Sequence, residues 1–265
     1  MTTTGRTVRP SVSRTFVSIL GRDLYVTGRG LGVFFAQNAI QPLLMLFIFG
    51  EVLGRIGYVS ADYGRVLLPG ILAITTFLTA LQSVAFPLSL DLGATKEIED
   101  RLLAPLPTYL VAVEKMLVGT IKGIGTTIIT VPIGMLMLTS APWRTAGIPM
   151  LVVFLVVGGW VGSAIGLTMG TVMMPSQINI VFALVLTPLM FTGAIQYPWQ
   201  SLSAMPWFQL VTGINPLTYL AEGARSAVVP DIPHIAPWIC IAALLAAGTL
   251  FSTIGIKGFL RRAID

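Results

Sequence analysis

The sequence predicts an all-α membrane protein with six transmembrane helices, for three reasons: its composition is apolar, its uncharged stretches are long, and it lacks short segments of alternating polarity. Hydrophobic residues make up 55% of the 265 residues and charged residues only 10%, whereas soluble domains carry about 25% charged residues. A membrane-spanning helix needs about 20 apolar residues. A transmembrane barrel would instead show alternating segments of about ten residues.

The first 30 residues are predicted to form a cytoplasmic tail and an interfacial helix. They contain five arginines but no apolar core followed by a small-residue cleavage site, so they do not resemble a cleaved signal peptide. Between Val12 and Leu24 a helical wheel separates an apolar side, which includes Phe16, from Arg14 and Arg22. Such a helix lies in the headgroup region. A solvated tail is the alternative.

Residues 31–265 are predicted to form the six-helix transmembrane domain. The predicted spans are about 31–52, 66–90, 109–139, 147–172, 178–196 and 236–257. Twelve of the sixteen Lys and Arg residues fall in the segments 1–30, 91–122 and 257–265. Because positive charge is retained on the cytoplasmic side, the chain is expected in a bacterial cytoplasmic membrane with both termini in the cytoplasm.

The fourth span carries a regular glycine pattern. Gly158, Gly162, Gly166 and Gly170 recur every four residues, which places them on one face of a helix. Small residues on one face allow a second helix to approach closely and gain dispersion contacts. The pattern predicts tight packing, and it leaves the partner helix undefined.

Two segments outside the spans are distinctive. Residues 91–107 mix charges of both signs with an apolar stripe and end in prolines, which suits a short cytoplasmic helix that docks on another protein, or a solvated loop. Residues 196–237 are apolar yet contain prolines at 198, 206 and 216. This segment is predicted to re-enter the membrane as short half-helices.

Several function classes are disfavoured. The predicted spans contain no Asp, Glu or His except Glu51 and Glu114 near their ends, so an intramembrane enzyme is not expected. The only cysteine, Cys240, and the only histidine, His234, cannot form a metal cage. The chain has no phosphate-binding loop of the G-x-x-x-x-G-K-[ST] type. Uphill transport would therefore need energy from another chain.

The layout and several short motifs resemble the permease family of ABC-2 type exporters over nearly the whole chain. The motifs are Leu68-Pro69-Gly70, KEIEDRLLAPLP at 96–107, Phe191-Thr192-Gly193-Ala194-Ile195, Met205-Pro206-Trp207, Asn215-Pro216-Leu217-Thr218-Tyr219 and Ala224-Arg225. The branch that it most resembles exports drugs or lipids, because the outer loops are short and no glycan-binding domain is appended.

The resemblance implies roles for two sets of residues. The helix at about 97–105 would be the coupling helix that contacts the ATPase, and the interfacial helix with Arg14, Phe16 and Arg22 would lean on the same subunit. The expected coupling contacts are Glu97, Glu99, Arg101, Leu102 and Leu103.

The resemblance also implies partners and cofactors. Two ATPase subunits, which bind ATP and Mg²⁺, and a second permease, identical or related, would complete the transporter. This chain itself would bind no cofactor, and contact with membrane lipid but not nucleic acid is expected.

A substrate path between the two permeases is expected along spans one, two and five. Its expected lining is Phe34, Gln37, Asn38, Gln41, Phe77, Thr79, Asn179 and Phe182. An uncharged lining favours a hydrophobic or amphipathic substrate. Alternatively these side chains only pack against neighbouring helices. An ion-coupled carrier, a passive channel and a non-transporting membrane scaffold remain the other function classes.

Overall fold

The computed structural model describes residues 11–60, 63–93, 106–137, 143–173 and 176–264. Within these ranges every regular element is helical, which confirms the predicted all-α class. The helices are α1 (Val12–Arg29), α2 (Leu31–Leu46), α3 (Tyr63–Gly93), α4 (Thr108–Met137), α5 (Ile148–Val172), α6 (Ile178–Phe191), α7 (Pro206–Ile214), α8 (Pro216–Val228) and α9 (Pro237–Ile264). A π-helical stretch, Phe47–Val52, and the turn Leu53–Arg55 extend α2, and 3-10 turns lie at Thr145–Gly147 and Trp199–Ala204.

Four of the described helices are long and apolar enough to cross a membrane: Tyr63–Gly93, Thr108–Met137, Thr145–Val172 and Pro237–Arg262. The apolar part of α6, Ile180–Phe191, is shorter. The count of six spans therefore stays a prediction. The coupling contacts Glu97, Glu99, Arg101, Leu102 and Leu103 lie outside the described residues.

The long helix α3 is the centre of the fold, because α2, α4, α5 and α8 all pack against it. On the α5 side, a Cβ added at Gly162 would lie 2.5 Å from the carbonyl oxygen of Phe77, and one at Gly166 would overlap that of Leu81. The backbones of α3 and α5 therefore touch directly. Contact at this distance maximises the dispersion attraction that holds helices together in lipid.

The other glycines of the fourth-span pattern also lie where neighbours approach closely. Gly170 packs near the carbonyl oxygen of Ala85 in α3, whereas Gly158 faces the side chain of Leu220 in α8. From the opposite side of α3, a Cβ at Gly123 of α4 would lie 2.5 Å from the Thr76 carbonyl oxygen. Glycines on two helices thus bring α4 and α5 against one central helix.

Hydroxyl groups link the three packed helices. Thr76 Oγ1 in α3 lies 2.5 Å from Thr127 Oγ1 in α4, and Thr120 Oγ1 in α4 lies 3.3 Å from Ser163 Oγ in α5. All four residues are buried. The three threonines also donate to carbonyls one turn earlier in their own helices, so the hydroxyls meet across the interface as small, locally satisfied polar groups.

The helices run alternately up and down, so the bundle has two ends. At the clamp end, which we define by Asp23, Asp91 and Lys115, α1 lies against the termini of α3 and α4. The side chain of Phe16 in α1 packs on the core at this end, whereas Arg14 and Arg22 are exposed. The opposite, cap end consists of α7, α8 and the segments 192–205 and 229–236.

The close α3–α5 contact predicts opposite effects of two glycine substitutions. Gly162→Ala would force a methyl group onto the Phe77 carbonyl, and overpacking typically costs about 1–3 kcal/mol. Gly28→Ala in α1 is the control, because nothing lies within 4 Å of its added Cβ and alanine favours helix by up to about 1 kcal/mol. Thermal unfolding in detergent, followed by a thiol-reactive dye on the buried Cys240, should show a lower midpoint for Gly162→Ala alone. Equal midpoints for the two variants would contradict the packing.

Candidate functional site

The cap end is organised by a fully buried ion pair between Glu222 and Arg225 of α8. Arg225 also donates through Nη2 to the carbonyl oxygens of Ala194 and Ile195, both at 3.2 Å, and through Nε to that of Val66 at 3.3 Å. The guanidinium therefore ties α8 to the first turn of α3 and to the segment that follows α6.

The carboxylate of Glu222 holds two further segments. Its Oε1 accepts a hydrogen bond from the backbone N–H of Trp199 at 3.0 Å, and its Oε2 accepts one from that of Ile235 at 2.9 Å. Both oxygens of the buried carboxylate are thus hydrogen-bonded, as a buried charge requires. The ion pair connects α8 to four parts of the chain that are distant in sequence.

Backbone contacts complete the arrangement around this pair. Ala194 has a φ of +48°, a left-handed conformation that is uncommon for a residue other than glycine. A Cβ at Gly70 would overlap the carbonyl oxygen of Ile195, so only glycine fits there. The motifs Leu68-Pro69-Gly70 and Phe191-Thr192-Gly193-Ala194-Ile195, separate in sequence, therefore meet in one structural unit.

Asn215 joins the end of α6 to the start of α8. Its Oδ1 accepts from the N–H of Leu217 at 2.9 Å, and its Nδ2 donates to the Leu189 carbonyl at 2.7 Å and to Thr192 Oγ1 at 2.9 Å. The side chain caps α8 and satisfies a carbonyl in the last turn of α6. This explains why α6 ends at Phe191 rather than at 196.

A groove between α2, α3 and α6 is the candidate transport site. The space in it that is open to a water-sized molecule is about 50 Å³. Its lining combines amides and a hydroxyl with apolar side chains, and none of the described residues that line it is charged. The lining residues are Asn38, Gln41, Pro42, Met45, Ile74, Thr75, Leu78, Gln82 and Met190.

Local helix chemistry explains the polarity of this groove. Pro42 has no N–H to donate to the carbonyl of Asn38, which leaves a backbone acceptor at the groove wall. Asn38 Nδ2 is used locally, because it donates to the Phe34 carbonyl at 2.7 Å. Gln41 reaches across to α6, with its Nε2 3.9 Å from the sulfur of Met190. The groove thus offers acceptors and amides without a fixed charge.

A second cavity of about 40 Å³ lies next to the groove, on the side of the cap end. The two share Met45 and Met190, and the second is completed by Phe191, Ile195, Gln196 and Tyr197. Burial raises the pKa of the Tyr197 phenol above its ordinary value, so this hydroxyl stays neutral. The flexible side chains of Met45 and Met190 therefore lie between the groove and the second cavity.

The structure distributes the predicted path residues unevenly. Asn38 and Gln41 line the groove. The ammonium group of Lys122 lies over the ring of Phe34, 5.6 Å from the ring centroid. The side chains of Gln37 and Asn179 are not among those that the structure describes.

The other three predicted path residues are not among the groove's lining. Phe77 and Thr79 are buried in the core, and Phe182 is buried and stacks on Phe86 with ring centroids 4.3 Å apart. A path role for these three would require the helices to move, and it stays a prediction.

Sequence reasoning missed Thr75 and Gln82 of α3. Together with Leu78 they stand at i, i+3 and i+7, which is one face of a helix. The amide of Gln82 in an otherwise apolar span was the signal that could have identified this face. Phe77, chosen from the same span, lies on another face, whereas Thr79 borders this face but is buried in the core.

At the clamp end, one lysine is held between two carboxylates from different helices. Lys115 Nζ of α4 lies 3.7 Å from Asp23 Oδ2 of α1 and 3.6 Å from Asp91 Oδ2 of α3. Asp23 interrupts the apolar side of α1 in the sequence, and that interruption was the available signal for a buried pair. This cluster fixes α1 to α3 and α4.

Comparisons with known proteins cover most of the chain. A sequence model of the family described as "ABC-2 type transporter" matches residues 14–229, from α1 to just beyond α8. The "Inner membrane transport permease YadH" of Escherichia coli strain K12 is 26% identical over 223 residues, which are 80% of this chain and 84% of that protein. The "Putative transport permease ycf38" of Cyanophora paradoxa is 26% identical over 219 residues, 78% of this chain and 72% of that protein.

The buried pair predicts a large effect for the removal of one partner. Arg225→Met leaves the carboxylate of Glu222 buried without its counter-charge, at a cost of about 3–5 kcal/mol. We expect faster reaction of Cys240 with a membrane-permeant maleimide, because α9 starts beside Ile235, which Glu222 holds.

Arg65→Met is the matched control for this experiment. It breaks the pair with Asp231, whose side chain is 57% exposed, and exposed pairs contribute at most about 1 kcal/mol. In the double variant Glu222→Gln with Arg225→Met, the reaction of Cys240 with the maleimide should be slower than in Arg225→Met alone. If the two single variants label at the same rate, the anchoring role of the buried pair is wrong.

Proposed function

The chain belongs to the ABC-2 type transporter family, and from that premise we propose that it is the permease half of an ATP-driven exporter of hydrophobic or amphipathic compounds. Family membership makes it a transport permease that works with an ATPase subunit, and its apolar helices fit a multi-pass protein of the inner membrane. The export direction, the substrate class and the assembly are the proposed parts.

The observation that carries the substrate class is the groove between α2, α3 and α6. Its lining is uncharged, and it places the amides of Asn38, Gln41 and Gln82 among apolar side chains such as Met45 and Leu78. Such a surface binds compounds with apolar bodies and a few hydrogen-bonding groups. An ion-coupled carrier would instead need an ionisable group at its binding site.

The positive-inside count supports the orientation that we propose. It assigns the clamp end to the cytoplasm and the cap end to the outer face, with six spans made by α2, α3, α4, α5, α6 and α9. The second cavity, next to the cap end, would then be the exit side of the groove. The cap segments α7 and α8 would enter the membrane from outside as half-helices.

We assign the coupling role to the segment around Glu99 and Arg101, in keeping with the resemblance of its sequence. It follows α3, whose last turns bear the clamp residue Asp91. Two ATPase subunits would bind ATP and Mg²⁺, and a second permease, identical or related, would complete the transporter. ATP binding can drive a conformational change of the transporter only if its two conformations bind ATP with different affinities.

The proposed mechanism is a rigid-body tilt. Closure of the ATPase subunits would move the cytoplasmic segment, and α3 with its glycine-packed partners α4 and α5 would tilt as one body. The groove lies between α3, which belongs to that body, and α2 and α6, which do not. Its width would therefore change when the body moves, which alternates access between the two sides.

The groove assignment predicts altered substrate choice when Gln82 is changed. Gln82→Leu removes a hydrogen-bonding group, so transport of a probe that uses it should fall about tenfold relative to an apolar probe. The measurement is ATP-dependent uptake of doxorubicin, ethidium and fluorescent phosphatidylethanolamine by proteoliposomes that contain the permease and its ATPase. Basal ATPase activity should not change.

Gln200→Leu makes the same chemical change on an exposed side chain of the cap end and serves as the control. It should leave the ranking of the three probes as it is in the wild type. Identical rankings for the wild type and both variants would exclude Gln82 from the path.

A further inference from the structure

A cleft at the clamp end takes no part in the transport path described above. It lies between α1, α3 and α4 and has an empty volume of about 790 Å³. Three cations line it, Arg22, Lys115 and Lys122, against two carboxylates, Asp23 and Asp91. Among the lining residues that the structure describes, cations therefore outnumber carboxylates by one, and the buried carboxylate of Glu114 also acts on Lys122.

The charges in this cleft are not equivalent. Lys115 is neutralised by Asp23 and Asp91, at 3.7 and 3.6 Å. Within the part of the chain that the structure describes, neither Arg22 nor Lys122 lies within 4.0 Å of a carboxylate oxygen. Two cations that belong to different helices thus face one space and remain available to an anion.

The position of Lys122 is set by packing. Its ammonium group lies over the ring of Phe34, 5.6 Å from the centroid, and a contact of this kind stabilises a cation at a defined place. Lys122 is half-buried, whereas Arg22 is exposed at the mouth of the cleft. The ligand would meet one fixed cation and one mobile cation.

The remaining walls are those of a site at the edge of the hydrocarbon layer. Val26 and Val118 supply apolar surface, and Val26 is 62% exposed. On α3, Pro87 has no N–H to donate to the carbonyl of Ser83, and both residues line the cleft. A ligand here needs an anionic group for the two cations and an apolar body for the valines.

We propose that this cleft binds the phosphate of one phospholipid headgroup, with Arg22 and Lys122 as its ligands. Arginine and lysine are the usual phosphate-binding side chains. The interfacial helix α1, fixed to the core through Asp23 and Lys115, brings Arg22 to the level at which headgroups lie. A bound lipid would join α1 to α4 beside the clamp. The proposal concerns binding alone, so it can fail while the transport function stands.

The test is native mass spectrometry of the full chain in dodecyl maltoside, titrated with phosphatidylglycerol. The double variant Arg22→Gln with Lys122→Gln should bind the lipid about 25-fold more weakly, because each cation near a lipid surface contributes about fivefold. The matched control, Lys257→Gln with Arg261→Gln, removes two exposed cations of α9 outside the cleft. It should bind as the wild type does.

Further variants keep the test decisive. Arg22→Lys with Lys122→Arg preserves both charges, so it should retain the lipid even if the glutamine variant is poorly folded. Equal affinities of the wild type and the glutamine variant would overturn the proposal, and so would equal losses in the glutamine variant and the α9 control. Displacement of the lipid by millimolar inorganic phosphate would show a site for soluble phosphate compounds and would also overturn it.

Discussion

The buried ion pair of Glu222 and Arg225 is the interaction on which the cap end depends. A buried charge is tolerated only when it is paired and hydrogen-bonded, and here the partners are backbone groups of Val66, Ala194 and Ile195 on one side and of Trp199 and Ile235 on the other. The same bonds that satisfy the two charges therefore fix α3, the segment after α6 and the start of α9 relative to α8.

Apart from the cap end, the helix bundle has a tightly packed part and a more loosely packed part. The helices α3, α4 and α5 are in backbone contact through glycines such as Gly123 and Gly162, which leaves no room for sliding without loss of contact. By contrast, α2 and α6 pack against α3 over much smaller contacts than α4 and α5 do. The proposed transport groove lies at the boundary between the two parts, where a movement of the rigid body would alter its width.

The general class, the glycine pattern and the breaks in the cap end follow from the sequence, because each has a local physical cause. Long apolar stretches predict helices, and Pro206 and Pro216 do begin α7 and α8. The lining of the groove could not be predicted in the same way. A span that is apolar on all sides carries no stripe to show which face meets a neighbour, so Phe77 was chosen where Thr75 and Gln82 line the groove. The role of Glu222 and Arg225 was equally hidden, since their partners are backbone atoms far away in sequence.

We propose that this permease is driven by a separate ATPase that docks on the segment around Glu99 and Arg101. The most direct measurement is to purify the tagged chain gently from its host, with mild crosslinking, and to identify bound proteins by mass spectrometry. We predict a stoichiometric ATPase with a phosphate-binding loop on the wild type, and a clear loss of it from the variant Glu99→Lys with Arg101→Glu. Recovery of the chain alone, or equal amounts of ATPase on both, would contradict this account.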